Sequence, residues 1–196
     1  MMNHPTWKVG LWIIGVTRMN FLRSFNYIEV YNNLLTESEC EYYMSILESP
    51  KEEKVFNKWG NYVGVAFDLK QDNYVVHKLT SSIEKYKEKY TFLTSFDNWG
   101  IESLCNIQKF SPGDYYSNEH AEHGPHPWDC KRVLTWMIYL NTIRKDGGTR
   151  WPQQKYTSKA KSGSLILWPA GWTHSHHGIP SKHQEKYIMT GWCSFI

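Results

Sequence analysis

Two stretches of this 196-residue chain carry side chains that could do chemistry together. One is His120-Ala121-Glu122. The other runs Trp168-Pro169-Ala170-Gly171-Trp172-Thr173-His174-Ser175-His176-His177-Gly178 and continues into Lys186-Tyr187-Ile188-Met189-Thr190-Gly191-Trp192. Seven of the nine histidines lie between residues 120 and 183, a concentration that asks for a chemical reason. If His120 to Glu122 is extended, their side chains share a face, because strand side chains alternate. One imidazole, one carboxylate and a distant histidine cover one face of an octahedral metal and leave three positions open, as in non-heme Fe(II) oxygenases. A structural zinc would take four closed ligands instead. The H-x-E pattern alone is a weak signal, since an exposed His-Glu pair reads the same way.

The third ligand stays open at this level. Parity puts His174 and His176 on one strand face and His177 on the other, which excludes only His177. Lys186 lies in an otherwise apolar run, where a charge is costly unless it is paired. An oxidase that activates dioxygen at Fe(II) needs two electrons beyond those of its substrate. 2-Oxoglutarate supplies them while chelating iron through its keto acid end, and its distal carboxylate then needs a cation. Thr190 and Trp192 share the Lys186 face by parity and could pack against such a cosubstrate, or be core strand residues. His123 and His126 read as loop residues beside that site.

The elements that must position these residues fall in two parts. Phe25 to Tyr31 reads as a strand. Thr36-Glu37-Ser38-Glu39 has the form of a capping box, and the spacing of Cys40, Tyr43, Met44 and Leu47 predicts a helix over 37–48. Lys51 to Lys54 reads as a solvated turn and Tyr62 to Leu69 as a strand. Val76, Leu79, Ile83, Tyr86 and Tyr90 mark a second amphipathic helix. From Ile101 onward short apolar runs recur at Leu104–Phe110, Val133–Leu140, Ser164–Trp168 and Lys186–Trp192. Turn signals such as Pro112-Gly113, Asp146-Gly147-Gly148 and Ser162-Gly163 separate them. The expected fold is mainly β (α+β), a jelly roll preceded by supporting helices. We expect residues 1–24 to be a leader or extra strand. Residues 25–196 then form one domain, with helical support over about 25–100 and a catalytic core over about 101–196.

Composition narrows the class. A net charge of +3 does not mark a nucleic-acid-binding face, and Lys155, Lys159 and Lys161 read as a solvated turn. The eight apolar residues of Val9 to Val16 are too few to span a bilayer. Four scattered cysteines without a C-x-x-C argue for a reducing compartment, and a cytoplasmic location is expected.

The motifs Phe110-Ser111-Pro112-Gly113-Asp114-Tyr115-Tyr116, His120-Ala121-Glu122, Arg132, Tyr139-Leu140-Asn141, Gly147-Gly148-Thr149, Gly163, Trp168-Pro169-Ala170, His176 and Lys186 to Trp192 together resemble the prolyl 4-hydroxylase-like Fe(II)/2-oxoglutarate dioxygenases. The small bacteriophage and bacterial forms are the most similar. The resemblance covers about residues 26–193. It implies a double-stranded β-helix and an enzyme that uses Fe(II), 2-oxoglutarate and O2, with ascorbate as reductant. The implied reaction converts 2-oxoglutarate to succinate and CO2 while hydroxylating an unactivated C–H bond, with a prolyl residue in a peptide as the expected substrate. Carried over by position, His120, Glu122 and His176 would be the metal ligands, His176 being chosen because His176, Pro180 and Lys186 keep the family spacing. His174 would then stand behind the ligands or on the substrate side. Lys186 and Tyr139 would hold the distal carboxylate of 2-oxoglutarate, and Tyr116 would line its pocket. The acidic ligand is more often Asp in the family, Phe110 stands where many members have Tyr, and Glu119 often has an aromatic counterpart. A binding module that keeps the metal site without catalysis, an oxygenase of a free amino acid, and a nucleic-acid oxygenase are the rival readings.

Overall fold

The structure is a computed structural model that describes residues 26–49, 55–57, 61–96, 98–116 and 118–196. The expectations for residues 1–24 and for the Lys51–Lys54 turn lie outside the described residues. In chain order the strands are β1 (Glu29–Tyr31), β2 (Val55–Asn57), β3 (Tyr62–Asp68), β4 (Trp99–Ile101), β5 (Leu104–Phe110), β6 (Arg132–Tyr139), β7 (Thr149–Trp151), β8 (Tyr156–Thr157), β9 (Leu165–Pro169), β10 (His177–Gly178) and β11 (Lys186–Phe195). Two helices, α1 (Glu37–Glu48) and α2 (Asn73–Lys89), interrupt the early strands.

The helices start where local chemistry favours it. Thr36 Oγ1 accepts the backbone N–H of Glu39, and the Glu39 carboxylate accepts the N–H of Thr36. Both arms of the capping box are therefore made, and two amides that the first turn would leave open are satisfied. Asp72 caps α2 by accepting from Tyr74 and Val75, and its other oxygen accepts from the Tyr43 hydroxyl at 2.6 Å, tying the two helices together.

The larger sheet has the order β1-β9-β6-β11-β5-β3-β2, with β4 pairing against β11. All its pairings are antiparallel. The smaller sheet is β10-β7-β8. Alternation along the larger sheet sorts its side chains into two cores. Cys105 and Ile107 of β5, Leu134, Trp136 and Ile138 of β6, Leu165 and Leu167 of β9, and Met189 of β11 pack toward α1 and α2. Phe110, Met137, Tyr139, Ile166, Trp168 and Ile188 point the other way, toward Trp151 of the smaller sheet. Gly191 belongs to this arrangement, because a Cβ there would meet the Trp136 ring at 2.4 Å.

The N-terminal part supplies more than helices. β1 extends the larger sheet at one edge, and β2 and β3 extend it at the other. Residue-level patterning located β5 with its bounds and β3, β6, β9 and β11 to within a few residues at each end. It missed β2, β4, β7, β8 and β10, which are too short for a period to be visible. Asn26 to Ile28 are not strand, so the first strand is shorter than the Phe25 to Tyr31 run suggested.

Candidate active site

The inner face of the larger sheet floors a cavity of about 480 Å³. β5 contributes Asn106, Gln108 and Phe110 to it, β6 contributes Met137 and Tyr139, and β11 contributes Lys186, Ile188, Thr190 and Trp192. Each set is spaced by two along its strand, as one face of a sheet requires. Register sets their order across the floor: Phe110 pairs with Lys186, Gln108 with Ile188, and Asn106 with Thr190.

Over this floor His120, Glu122 and His176 converge, with one donor atom from each lying within 4.8 Å of the others. Glu122 Oε1 is 3.5 Å from His120 Nε2 and 3.3 Å from His176 Nε2. The chain brings them together by backbone pairing. His120 and His176 form an antiparallel bridge, which continues the smaller sheet because the Gly178 N–H donates to the carbonyl of Tyr116. Residues 121–122 are not strand. The amides of Glu122 and His123 both donate to the carbonyl of Ala170, and this loop, rather than parity in an extended segment, places the carboxylate beside the two rings.

The ring orientations suit a metal. Nδ1 of His120 donates to the carbonyl of Asn118 at 2.8 Å, and Nδ1 of His176 donates to that of His174 at 3.0 Å. With each Nδ1 protonated, each Nε2 keeps its lone pair for a cation. Burial alone would raise the Glu122 carboxyl, but the two imidazoles beside it hold it well below the usual carboxylate range. Burial disfavours the charged form of His120, yet its bond to Glu122 raises it overall. The carboxylate therefore stays ionised.

His174 does not join this set. It ends a short 3-10 turn, Trp172–His174, rather than lying in a strand, so the shared face with His176 inferred from parity does not exist. Its Nε2 donates to the carbonyl of Asn26 at 2.9 Å and its Nδ1 contacts Thr173 Oγ1 at 3.0 Å. Its part in the site is its backbone carbonyl, which orients His176. His177 pairs with Arg150 in the smaller sheet. His123 contacts the carbonyl of Arg132 at 3.4 Å, and His126 stacks on the exposed Trp128 at the cavity mouth, with centroids 4.8 Å apart.

Lys186 is 3% exposed and has no carboxylate partner among the described residues; its Nζ reaches only the carbonyl of Ile179, at 3.4 Å. Its ammonium also lies 4.6 Å from the Phe110 ring centre. Burial pushes its ionisation down to about 8. The hydroxyl of Tyr139 contacts Thr149 Oγ1 at 3.0 Å and Ser158 Oγ at 2.8 Å. In each contact either hydroxyl could be the donor, and Tyr139 itself lines the cavity. Tyr116 also lines the cavity and packs on the His120 ring at 4.3 Å between centroids. Thr190 Oγ1 donates to the carbonyl of Trp136, so its hydroxyl is committed to the sheet.

Two contributions were not visible in residue types. Trp192 Nε1 donates to Glu122 Oε2 at 2.9 Å, so this ring serves the carboxylate rather than only packing in the pocket. Arg132 donates to the Glu122 carbonyl at 3.0 Å and lies 3.7 Å from the Trp192 ring centre. No short-range signal predicts either contact, although Trp192 was placed on the correct face by parity.

A jelly roll carrying two imidazoles and one carboxylate on an inward face, with a buried lysine on the same floor, has the donor set of a facial-triad metal site. Residues 105–194 match the family model of the 2OG-Fe(II) oxygenase superfamily. Among curated proteins, probable prolyl 4-hydroxylase 7 of Arabidopsis thaliana is 24% identical over 215 residues, covering 90% of this chain and 65% of the plant protein. The chain spans 47% and 44% of two further curated relatives. The viral collagen prolyl hydroxylase of Paramecium Bursaria Chlorella virus-1, in its 2OG complex, superposes with a TM-score of 0.70 at 21% identity, covering 88% of this chain and 98% of that one. A prolyl hydroxylase of Trichoplax adhaerens in complex with a hypoxia inducible factor peptide fragment superposes with a TM-score of 0.64 at 16% identity, covering 87% and 84%. The shared fold is the double-stranded β-helix with supporting helices. No helix among the described residues is long and apolar enough to cross a membrane.

Proposed function

We propose that the protein is an Fe(II)- and 2-oxoglutarate-dependent dioxygenase that hydroxylates an unactivated C–H bond, with a prolyl residue of a peptide as its substrate. The observation that carries this reading is the pairing, in one cavity, of three convergent ligand atoms with a buried lysine that has no carboxylate partner among the described residues. The donor set fits Fe(II). Both Nε2 atoms and Oε1 face one another, while both Nδ1 atoms and Oε2 are engaged elsewhere. The lysine fits a dianionic cosubstrate, since a buried ammonium needs an anion. Fe(II) with 2-oxoglutarate and O2, and ascorbate as reductant, would supply the oxidation: 2-oxoglutarate goes to succinate and CO2, and the substrate C–H becomes C–OH.

The chain's own residues would bind, orient and exclude water. His120, Glu122 and His176 would hold the metal. Lys186 and the Tyr139 hydroxyl would hold the distal carboxylate of 2-oxoglutarate. Phe110, Tyr116, Trp168 and Ile188 would keep that part of the cavity dry, which strengthens charge pairing there. Support for a peptidyl substrate comes from the prolyl 4-hydroxylase name of the plant relative and from the peptide complex of the Trichoplax structure. The exposed Trp128 and the Arg132 and Trp192 pair at the cavity offer an aromatic and hydrogen-bonding surface suited to such a chain. We further take residues 25–196 as one catalytic domain acting in the cytoplasm.

The test is succinate release from 2-oxoglutarate by Fe(II)-loaded protein under air with ascorbate, with and without a proline-rich peptide. Turnover stimulated by the peptide, with a mass gain of one oxygen on proline, is expected. Metal binding without any turnover would leave a binding module. Turnover that responds only to a free amino acid or to nucleic acid would reassign the substrate.

A further inference from the structure

We propose that Trp192 is a positioning residue that restricts Glu122 to a single coordinating oxygen. The proposal rests on His120, Glu122 and His176 being the metal ligands. The two oxygens of Glu122 stand in different surroundings. Oε1 faces the two imidazole Nε2 atoms at 3.5 and 3.3 Å. Oε2 accepts the indole N–H of Trp192 at 2.9 Å, with Arg132 Nη1 3.7 Å away.

The consequence is a matter of coordination number. A carboxylate can bind a cation through one oxygen or through both. Through both, the two histidines and Glu122 would fill four of six octahedral positions and leave two. A keto acid chelating through two atoms would then leave no room for dioxygen. Through Oε1 alone, three positions stay open. An indole N–H on Oε2 competes directly with the second metal bond.

Glutamate needs such a restraint more than aspartate would. It has one more rotatable bond to fix when its head is ordered, and its longer reach makes chelation through both oxygens easier. The restraint is itself braced. The Arg132 guanidinium lies 3.7 Å from the Trp192 ring centre and donates to the Glu122 backbone carbonyl at 3.0 Å. One arginine therefore fixes both the ring and the backbone of the residue whose carboxylate the ring holds. Arg132 also approaches Glu102 at 3.8 Å, and Glu102 accepts from Ser194, two residues after Trp192 on β11.

The experiment is equilibrium binding of Co(II), and of Fe(II) without oxygen, followed by binding of 2-oxoglutarate to the Co(II)-loaded protein, for wild type, Trp192→Phe, Glu122→Asp and the double variant. Thermal melting of each metal-free protein runs alongside. Phenylalanine keeps a ring for Arg132 and removes the donor. Trp192→Phe frees Oε2 to take a second metal position, so 2-oxoglutarate is expected to bind the Co(II)-loaded variant about 10- to 100-fold more weakly, with the metal-free melting temperature unchanged. In the Glu122→Asp background the shorter side chain falls short of the indole, and the same change should cost less than about threefold. An unchanged 2-oxoglutarate affinity for Trp192→Phe, or an equal loss in both backgrounds, overturns the proposal. Where the Phe variant does not fold, Trp192→His and Trp192→Leu replace it. The histidine variant, which keeps an N–H donor, is expected to bind 2-oxoglutarate more tightly than the leucine one, and equal affinities overturn the role. A wild-type protein that binds neither metal overturns the reading of the site as well, so the two failures are told apart.

Discussion

His120 and His176 face one another across a single antiparallel bridge, each backbone N–H donating to the other's carbonyl, at 3.0 and 2.8 Å. Two hydrogen bonds thus bring together histidines from distant parts of the chain. The rings sit with centroids 4.5 Å apart, so movement of either segment alone would separate the two Nε2 atoms.

This pairing separates the two neighbouring histidines experimentally. His176→Ala should abolish metal binding in a Co(II) titration. His174→Ala should leave the affinity within severalfold and lower stability by about 1–2 kcal/mol, because Asn26 loses a buried hydrogen-bond donor. The reverse pattern would mean that the third ligand is His174.

Lys186 gives opposite expectations for ligand and fold. Lys186→Met keeps an apolar stem and removes the charge. The apparent KM for 2-oxoglutarate should rise about 100-fold or more, as expected when one partner of a buried charge pair is lost. The ligand-free protein should melt at a higher temperature, since a desolvated ammonium without a carboxylate has gone. A variant with wild-type KM would show that the distal carboxylate binds elsewhere.

The same residue predicts a pH dependence. Burial holds Lys186 at about 8 in the folded protein, below the value of about 10.4 for an unfolded chain. Across that window the unfolded chain binds more protons, so ligand-free stability should rise with pH from this group. 2-Oxoglutarate needs the charged form. Its affinity should be constant below about pH 8 and fall about tenfold per pH unit above it. Calorimetry across pH 6.5 to about 9.5 checks this, and a flat profile in which Lys186→Met behaves like wild type would refute it.

Tyr139→Phe tests the hydroxyl that Thr149 and Ser158 surround. Removing it deprives both side chains of a buried partner, and a loss of about 1–2 kcal/mol in unfolding free energy is expected. 2-Oxoglutarate binding should weaken severalfold while metal affinity stays. Wild-type affinity for 2-oxoglutarate would mean that the phenol proton does not face the cosubstrate.

Much of this architecture was legible in residue types and spacing. Alternation in Lys186 to Trp192 placed Lys186, Thr190 and Trp192 on one face, and the structure puts all three on the cavity floor. The capping box at Thr36 located α1 because it is a purely local interaction. Parity failed where the backbone was not extended: the 3-10 turn at Trp172–His174 rotates His174 away. The Trp192 to Glu122 bond was out of reach for a different reason. It joins residues 70 positions apart through a loop whose course is set by the Ala170 carbonyl, and no window of sequence contains both ends.

The tie between His174 and Asn26 bears on where this chain can be trimmed. The carbonyl of Asn26 holds His174 Nε2, that of Tyr27 accepts from the Tyr86 hydroxyl at 2.7 Å, and the carbonyl of His174 in turn orients His176. A protein shortened to begin after residue 27 would keep every strand and every ligand, yet lose the peg that steadies one imidazole. The usable N-terminal boundary for expression is therefore set by the support of His176 and not by the first strand.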